Sequence, residues 1–294
     1  MNLSLLIATL AQGLIWSLLA LGVFLTFRVL DIADLSVEGT FPLGAAVAAM
    51  WITGGGSPWT ALLLSLAAGA AAGTVTALLH TKLKIPALLA GILTMIALYS
   101  VNLHVMGKAN ISLLRARTVF TDLAGGLVPP MWTPFLTGLA LAVGFGLLLY
   151  WFFGTELGTA IRATGNNPRM IRALGVNTDV MIVLGMLLSN ALVALCGAFV
   201  AQSQGFADVG MGIGTIVIGL AAVIIGEVLF GRSSFKNSLC SVVLGSIMYR
   251  IVIAVVLYMG MPPNDLKLFT AVLVALALAL PLVQKQWSAG KRGA

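Results

Sequence analysis

Two charges lie inside apolar runs of this 294-residue chain, where charge is expensive. Arg250 falls near the middle of Ser238–Met259, and Glu227 falls late in the run before it. A charge in lipid costs about 2.5–3.5 kcal/mol on insertion scales, so such a group faces a partner or water. The two are expected to meet each other or to line a path. A structural ion pair fits, and so does an Arg250 that attracts a solute carboxylate. A second group, Asp31, Asp34 and Glu38, clusters beside Arg28. Carboxylates near a helix start suit the positive end of its dipole, which accounts for Glu38 and for Asp34. The other reading makes Asp34, Ser36 and Glu38 a polar lining where the second helix is interrupted. Other chemistries lack their residues. No Gly-x-x-x-x-Gly-Lys-Ser/Thr occurs, so the chain has no P-loop for ATP. With two histidines and no His-Glu-x-x-His, a zinc hydrolase is not indicated. Cys196 and Cys240 sit in apolar runs, which argues against a disulfide framework or a metal site. No catalytic residue and no metal ligand is assigned.

The longest polar gap is 154–179, between two strong apolar runs. Leu157, Ala160, Ile161 and Ala163 recur at helical spacing. Gly165-Asn166-Asn167-Pro168 reads as a turn, with Asn able to cap and Pro suited to a first helical position. A second short helix follows from Pro168 to Leu174 and stops at Gly175. Two short amphipathic helices of this kind can dock into a groove on a partner. Lying on lipid headgroups is the competing use, which Arg162, Arg169 and Arg172 would also favour.

The elements that must position these residues are membrane helices. The chain is 60% hydrophobic and 9% charged, with mean hydropathy +1.08, against about 25% charged residues in a soluble domain. Its solvent is lipid. A spanning helix needs about 20 apolar residues. The runs are Leu3–Phe27, Gly39–Ile52, Trp59–Leu79, Ala87–Met106, Pro134–Phe153, Val180–Ala201, Gly212–Phe230, Ser238–Met259 and Leu268–Val283. The first has no basic start or cleavage site and is read as a permanent helix. The expectation is an all-α polytopic fold of about 8–10 spans. Two are interrupted: Gly39–Ile52, short and holding Pro42, and Gly212–Phe230, which opens on glycines. Asn102 and Asn190 should bond between helices. Gly69-x-x-x-Gly73 offers a close-packing surface, within the subunit or at a dimer seam.

Basic residues set the orientation. With 154–179 cytoplasmic, eleven Lys and Arg fall inside: Arg28, Lys82, Lys84, Arg162, Arg169, Arg172, Arg232, Lys236, Lys285, Lys291 and Arg292. Four fall outside: Lys108, Arg115, Arg117 and Lys267. The net charge of +7 thus follows membrane topology rather than a phosphate-binding face, and nucleic acid is not an expected partner. An internal echo crosses the chain. Ala33-Asp34 precedes the run with Gly44-Ala45-Ala46-Val47, and Ala207-Asp208 precedes the run with Leu220-Ala221-Ala222-Val223. The two units start on opposite sides, the pattern of an inverted repeat whose breaks line a pathway. Chance is the alternative in so Ala-, Gly- and Val-rich a chain.

Gly158-x-x-x-Arg162-Ala163-x-Gly165-x-Asn167-Pro168, followed by Gly175-Val176-Asn177, resembles the cytoplasmic coupling loop of permeases that import branched-chain amino acids, ribose and related solutes. Three further stretches agree. Ala33–Gly39 resembles the family's Asp-Leu-Ser-Val-Gly box with Glu38 inserted. Leu83–Met95 resembles its Pro-containing helix start. Gly219–Gly231 resembles its Gly-Leu-Ala-Ala-Val box, with Glu227 where many members have Gly. Together they cover most of Leu21–Leu282. Glu227 and Tyr249-Arg250 look most like a subgroup linked to aromatic amino acids.

The resemblance implies one permease domain over 1–294 in the bacterial inner membrane, working as a dimer, a homodimer by expectation. It implies two separate ATP-binding-cassette ATPases and a periplasmic or lipid-anchored solute-binding protein. This chain would bind no cofactor, and its partners would use the ATP. Glu156, Gly158, Arg162, Ala163, Gly165, Asn167, Pro168 and Gly175 would carry the coupling. The alternatives are an ion-coupled secondary transporter, a membrane-embedded enzyme, for which no constellation is visible, and a structural scaffold without solute flux.

Overall fold

The computed structural model describes residues 3–124, 129–260, 262, 265–266 and 268–276. In chain order the helices are α1 (Leu3–Phe24), α2 (Val37–Thr53), α3 (Pro58–Thr81), α4 (Ala87–Met106), α5 (Val119–Ala124), α6 (Thr133–Phe152), α7 (Glu156–Asn166), α8 (Pro168–Ala173), α9 (Thr178–Gln204), α10 (Thr215–Phe230) and α11 (Phe235–Tyr258). A π turn, Leu25–Val29, continues α1, and a 3-10 turn, Val209–Gly212, precedes α10. Among the described residues, seven segments are long and apolar enough to cross a membrane, and α2 is a shorter apolar helix of 17 residues. The chain is a polytopic all-α membrane protein. Two three-residue strands, β1 (Asn110–Ser112) and β2 (Phe206–Asp208), pair antiparallel at one end with Ile111 opposite Ala207. Residues 268–276 are helical, and the remainder of the expected Leu268–Val283 span lies outside the described residues.

The core is organised around α9, whose buried residues run unbroken from Ser189 to Gln202. Leucine tails give no hydrophobic drive between helices in lipid, so close backbone approach decides what packs. Glycines permit it. Gly44 on α2 lies against the Ala194 backbone, and Gly197 on α9 lies against the Phe41 carbonyl. On α3, Gly69 meets Asn190 and Ala194 while Gly73 meets Met186, so this pair packs within the subunit. Asn102 Nδ2 donates to the Gly39 carbonyl at 3.1 Å, joining α4 to α2. Leu63, Ile96, Leu147 and Trp151 point outward, as lipid-facing residues must.

Several of the basic residues assigned to one side, Arg28, Lys84, Arg162, Arg172 and Arg232 among them, make contacts between the helix ends of one face. Lys84 pairs with Asp179 at 3.4 Å, Arg28 pairs with Glu227, and Gly165 on α7 touches Val29. These contacts put the ends of α1, α3 and α10 and the starts of α9 and α11 at one face of the bundle. The β1–β2 pair occupies the other. Lys285, Lys291 and Arg292 lie outside the described residues.

Helix α2 starts two residues earlier than the apolar run and passes through Pro42 without a break. Proline removes the N–H that would bond the carbonyl four residues back. That freed carbonyl, on Glu38, sits against Gly212 of the 3-10 turn, which also touches the Pro42 ring. The interruption lies instead in where the helices begin. Asn190 is about 18 Å along α9 from Thr178, and the connector before α2 meets it there, through Asp34 and Ser36. Helix α2 therefore starts at mid-depth. Helix α10 starts beside it, after Gly214, whose φ of +88° breaks it from the 3-10 turn.

Because a Cβ at Gly197 would collide with the Phe41 carbonyl, Gly197→Val is expected to destabilise the bundle by about 1–3 kcal/mol. Gly144→Ala, which meets nothing within 4 Å, should leave it unchanged. Thermal unfolding of the detergent-solubilised protein measures both.

Candidate functional site: a seated helix pair and an intramembrane polar cluster

The hydroxyl of Thr155 caps α7, accepting from Gly158 N at 3.3 Å. Ile161 is fully buried, and Gly158 and Thr164 are buried with it. Gly158 lies against the backbone of Phe152 and Phe153, and Gly165 against the Val29 carbonyl and Leu30. Any side chain at either position would strike backbone, so the two glycines seat α7 on α6 and on the end of α1. Asn167 both ends α7 and starts α8: its N–H donates to the Ala163 carbonyl, and its Oδ1 accepts from Met170 N at 3.1 Å. Pro168 takes the first position of α8, whose missing N–H costs nothing there. Gly175, at φ +86°, turns the chain into α9. Arg172 lies 2.6 Å from the Thr178 hydroxyl and 3.9 Å from Asp179, which fixes the exit.

Glu156 is exposed in the first turn of α7, where a carboxylate suits the dipole. Ala163 is half-buried beside Gly165. Arg162, though exposed, stacks on Phe235 at 4.4 Å from the ring centroid, tying α7 to the start of α11. The residues presented outward include Leu157, Met170 and Leu174, the last 71% exposed. Sequence reading did not single out Met170, Leu174 or Phe235. The signal for Phe235 was the cap before it, where Ser234 accepts from Asn237 N at 3.2 Å.

Behind this pair opens a cleft of about 830 Å³ between the end of α1, α7, the end of α10 and the start of α11. Glu227 lines it, paired with Arg28 and 3.9 Å from Arg232. The expected meeting of Glu227 with Arg250 does not occur. Glu227 is three residues from the end of α10 at the basic face. Arg250 is about 22 Å along α11 from Phe235. Depth separates them. Arg250 instead lies over the Trp16 ring at 4.0 Å, with no carboxylate in ion-pair reach among the described residues.

At mid-depth, Asp34 Oδ1 accepts from Ser36 N at 2.9 Å and from the Ser36 hydroxyl at 2.6 Å, while its Oδ2 accepts from Asn190 Nδ2 at 2.8 Å. Asp34 is 2% exposed and Ser36 fully buried. In this conformation they clamp α2 to α9 and do not line an open path. Glu38 Oε1 accepts from Gly214 N at 3.0 Å, placing its carboxylate at the start of α10. The internal echo extends to these bonds: Asp208 Oδ1 accepts from Gly210 N at 2.7 Å, two residues on, just as Asp34 accepts from Ser36 N. Asn190→Ala should remove the Asp34 Oδ2 partner and lower stability by about 1–3 kcal/mol, read as a lower melting temperature.

Comparison with known proteins adds ancestry to this geometry. The family model described as branched-chain amino acid transport system / permease component matches residues 5–279. A tyrosine transport system permease protein of Clostridioides difficile (strain R20291) is 41% identical over 273 residues, 93% of this chain and 90% of the relative. An uncharacterised protein of Rickettsia prowazekii (strain Madrid E) is 34% identical over 288 residues, 94% and 97% of the two chains. The autoinducer 2 import system permease protein LsrC of Yersinia pestis (strain Pestoides F) is 30% identical over 191 residues, 64% of this chain and 52% of that one. No solved structure matches. A multi-pass bundle matched by this family model over nearly its whole length is a transport permease, of the inner membrane in bacteria. This chain belongs to the family of branched-chain amino acid transport system permease components.

Proposed function

We propose that this chain is the membrane-spanning subunit of an ATP-binding-cassette importer, moving an amino acid, an aromatic one, into the cytoplasm with ATP hydrolysed by separate subunits. The observation that carries the reading is the α7–α8 pair. It is seated on backbone by Gly158 and Gly165 and presents Met170 and Leu174 outward. Such a rigid, amphipathic pair suits a groove on a partner better than a solvated loop would. Without a P-loop, the chain needs an external motor. The C. difficile relative, a tyrosine transport system permease by its description, supports an aromatic solute. On this reading residues 1–294 form one permease domain with its coupling loop at 154–179. It pairs with a second copy, engages two ATPase subunits and takes solute from a periplasmic or lipid-anchored binding protein. It holds no cofactor of its own. Asp34, Ser36 and Glu38 would move as α2 and α10 shift, and Glu227 would brace the cytoplasmic mouth.

An ion-coupled secondary transporter is the second reading, favoured by the intramembrane carboxylate of Asp34. The two separate by co-purification of the tagged chain with its candidate ATPase and by uptake in vesicles. Met170→Asp and Leu174→Asp are expected to weaken ATPase binding by about thirtyfold each, the scale of an interface hot spot. Gly165→Val should retain the ATPase and uncouple its hydrolysis from uptake. Uptake that proceeds without ATP and collapses with an ionophore would replace the importer by the secondary transporter.

A further inference from the structure

Among the described residues, two buried donors near the middle of the bundle have no acceptor. Arg250 Nε and Trp16 Nε1 are both enclosed, and neither has a hydrogen-bond partner among the described residues. They belong to one contact, the guanidinium lying 4.0 Å from the Trp16 ring centroid. Trp16 is in turn 5.3 Å from Phe41, on the helix that starts at mid-depth. Each group can only donate: guanidinium has five N–H bonds and no acceptor, and indole has one. The two therefore cannot satisfy each other.

The carboxylates that the sequence places in or beside the apolar runs are engaged elsewhere. Asp34 is held by Ser36 and Asn190, Glu38 accepts from Gly214 N, and Glu227 pairs with Arg28 at the basic face. A stack on an aromatic face eases the cost of a desolvated cation but fills none of its hydrogen bonds. Arg250 is only half-buried, so part of it can be reached. What is missing is an anionic acceptor of the size that a planar fork recognises, and a carboxylate meets that description.

We propose that Arg250 and Trp16 form the station within the membrane at which the carboxylate of the transported solute is held, with the guanidinium and the indole N–H donating to it. The proposal rests on reading this chain as an amino-acid permease, and it names the part of the solute that the chain itself recognises.

The test uses the purified full chain in lipid nanodiscs, with L-tyrosine and tyramine as probes; tyramine keeps the ring and amine and lacks the carboxylate. L-tyrosine is expected to raise the melting temperature and tyramine to leave it unchanged. Arg250→Lys should keep most of the response. Arg250→Gln should weaken apparent affinity roughly tenfold or more, and Trp16→Phe, which removes the indole N–H together with the five-membered half of the ring and keeps an aromatic face, by several-fold. If Arg250→Gln does not fold, the tyramine and Trp16→Phe comparisons decide. Equal stabilisation by tyramine, an unchanged response in these variants, or no stabilisation by any common α-amino acid overturns the station. Uptake is measured in parallel on the assembled complex. ATP-dependent uptake indifferent to Arg250→Gln sinks the station and leaves the importer. ATP-independent uptake sinks the importer, and the melting shift still decides the station.

Discussion

Helices that start inside a bilayer leave backbone N–H groups where no water can reach them, and the rest of this structure is arranged around that constraint. Both α2 and α10 begin in this way. The connector into α2 is held by Asp34, which accepts from Ser36 N, and the turn before α10 is held by Asp208, which accepts from Gly210 N. Glu38 then reaches from α2 to Gly214 N at the head of α10. Asp34 and Glu38 thus supply acceptors at mid-depth, where the solvent supplies none, and Asp208 does the same for the turn nearer the β1–β2 face. The inverted arrangement follows: one unit enters from the basic face and the other from the β1–β2 face, and their breaks meet.

These connections need helices that approach closely. Gly44, Gly69, Gly73 and Gly197 bring α2 and α3 onto α9 at backbone distance, which puts Asn190 within reach of Asp34. The same residue type does different work in the loop, where Gly158 and Gly165 fit a helix pair onto the ends of two membrane spans. Small residues set the geometry, and the few polar groups then fix the register.

Local chemistry was legible in the sequence, while depth was not. Asn167, Pro168 and Gly175 do what a cap, a first helical position and a helix stop should do, because each acts within a few residues of itself. Asp34 and Asp208 echo one another for the same reason. Hydropathy shows that Glu227 and Arg250 both lie in apolar runs, yet it gives no height along the bilayer. That height depends on α10 starting only after Gly214. Arg232, five residues after Glu227, was the local hint that this carboxylate belongs to the basic face. Pro42 misled in the opposite sense. A proline lowers the odds of a helix, but the carbonyl it frees is covered by Gly212, a contact that no local pattern reveals.

The π turn at Leu25–Val29 gives this arrangement a mechanical sense. Gly165 presses on Val29, the last residue of that turn, and the chain then reverses through Asp31, at φ +56°, towards Asp34. A glycine against a carbonyl is a hard contact with no side chain to absorb displacement. A wider turn is a compliant joint at which helices bend. Stiff linkage and soft hinge therefore sit in series, so a displacement of α7 would be taken up at the connector and would spare the long shaft of α1.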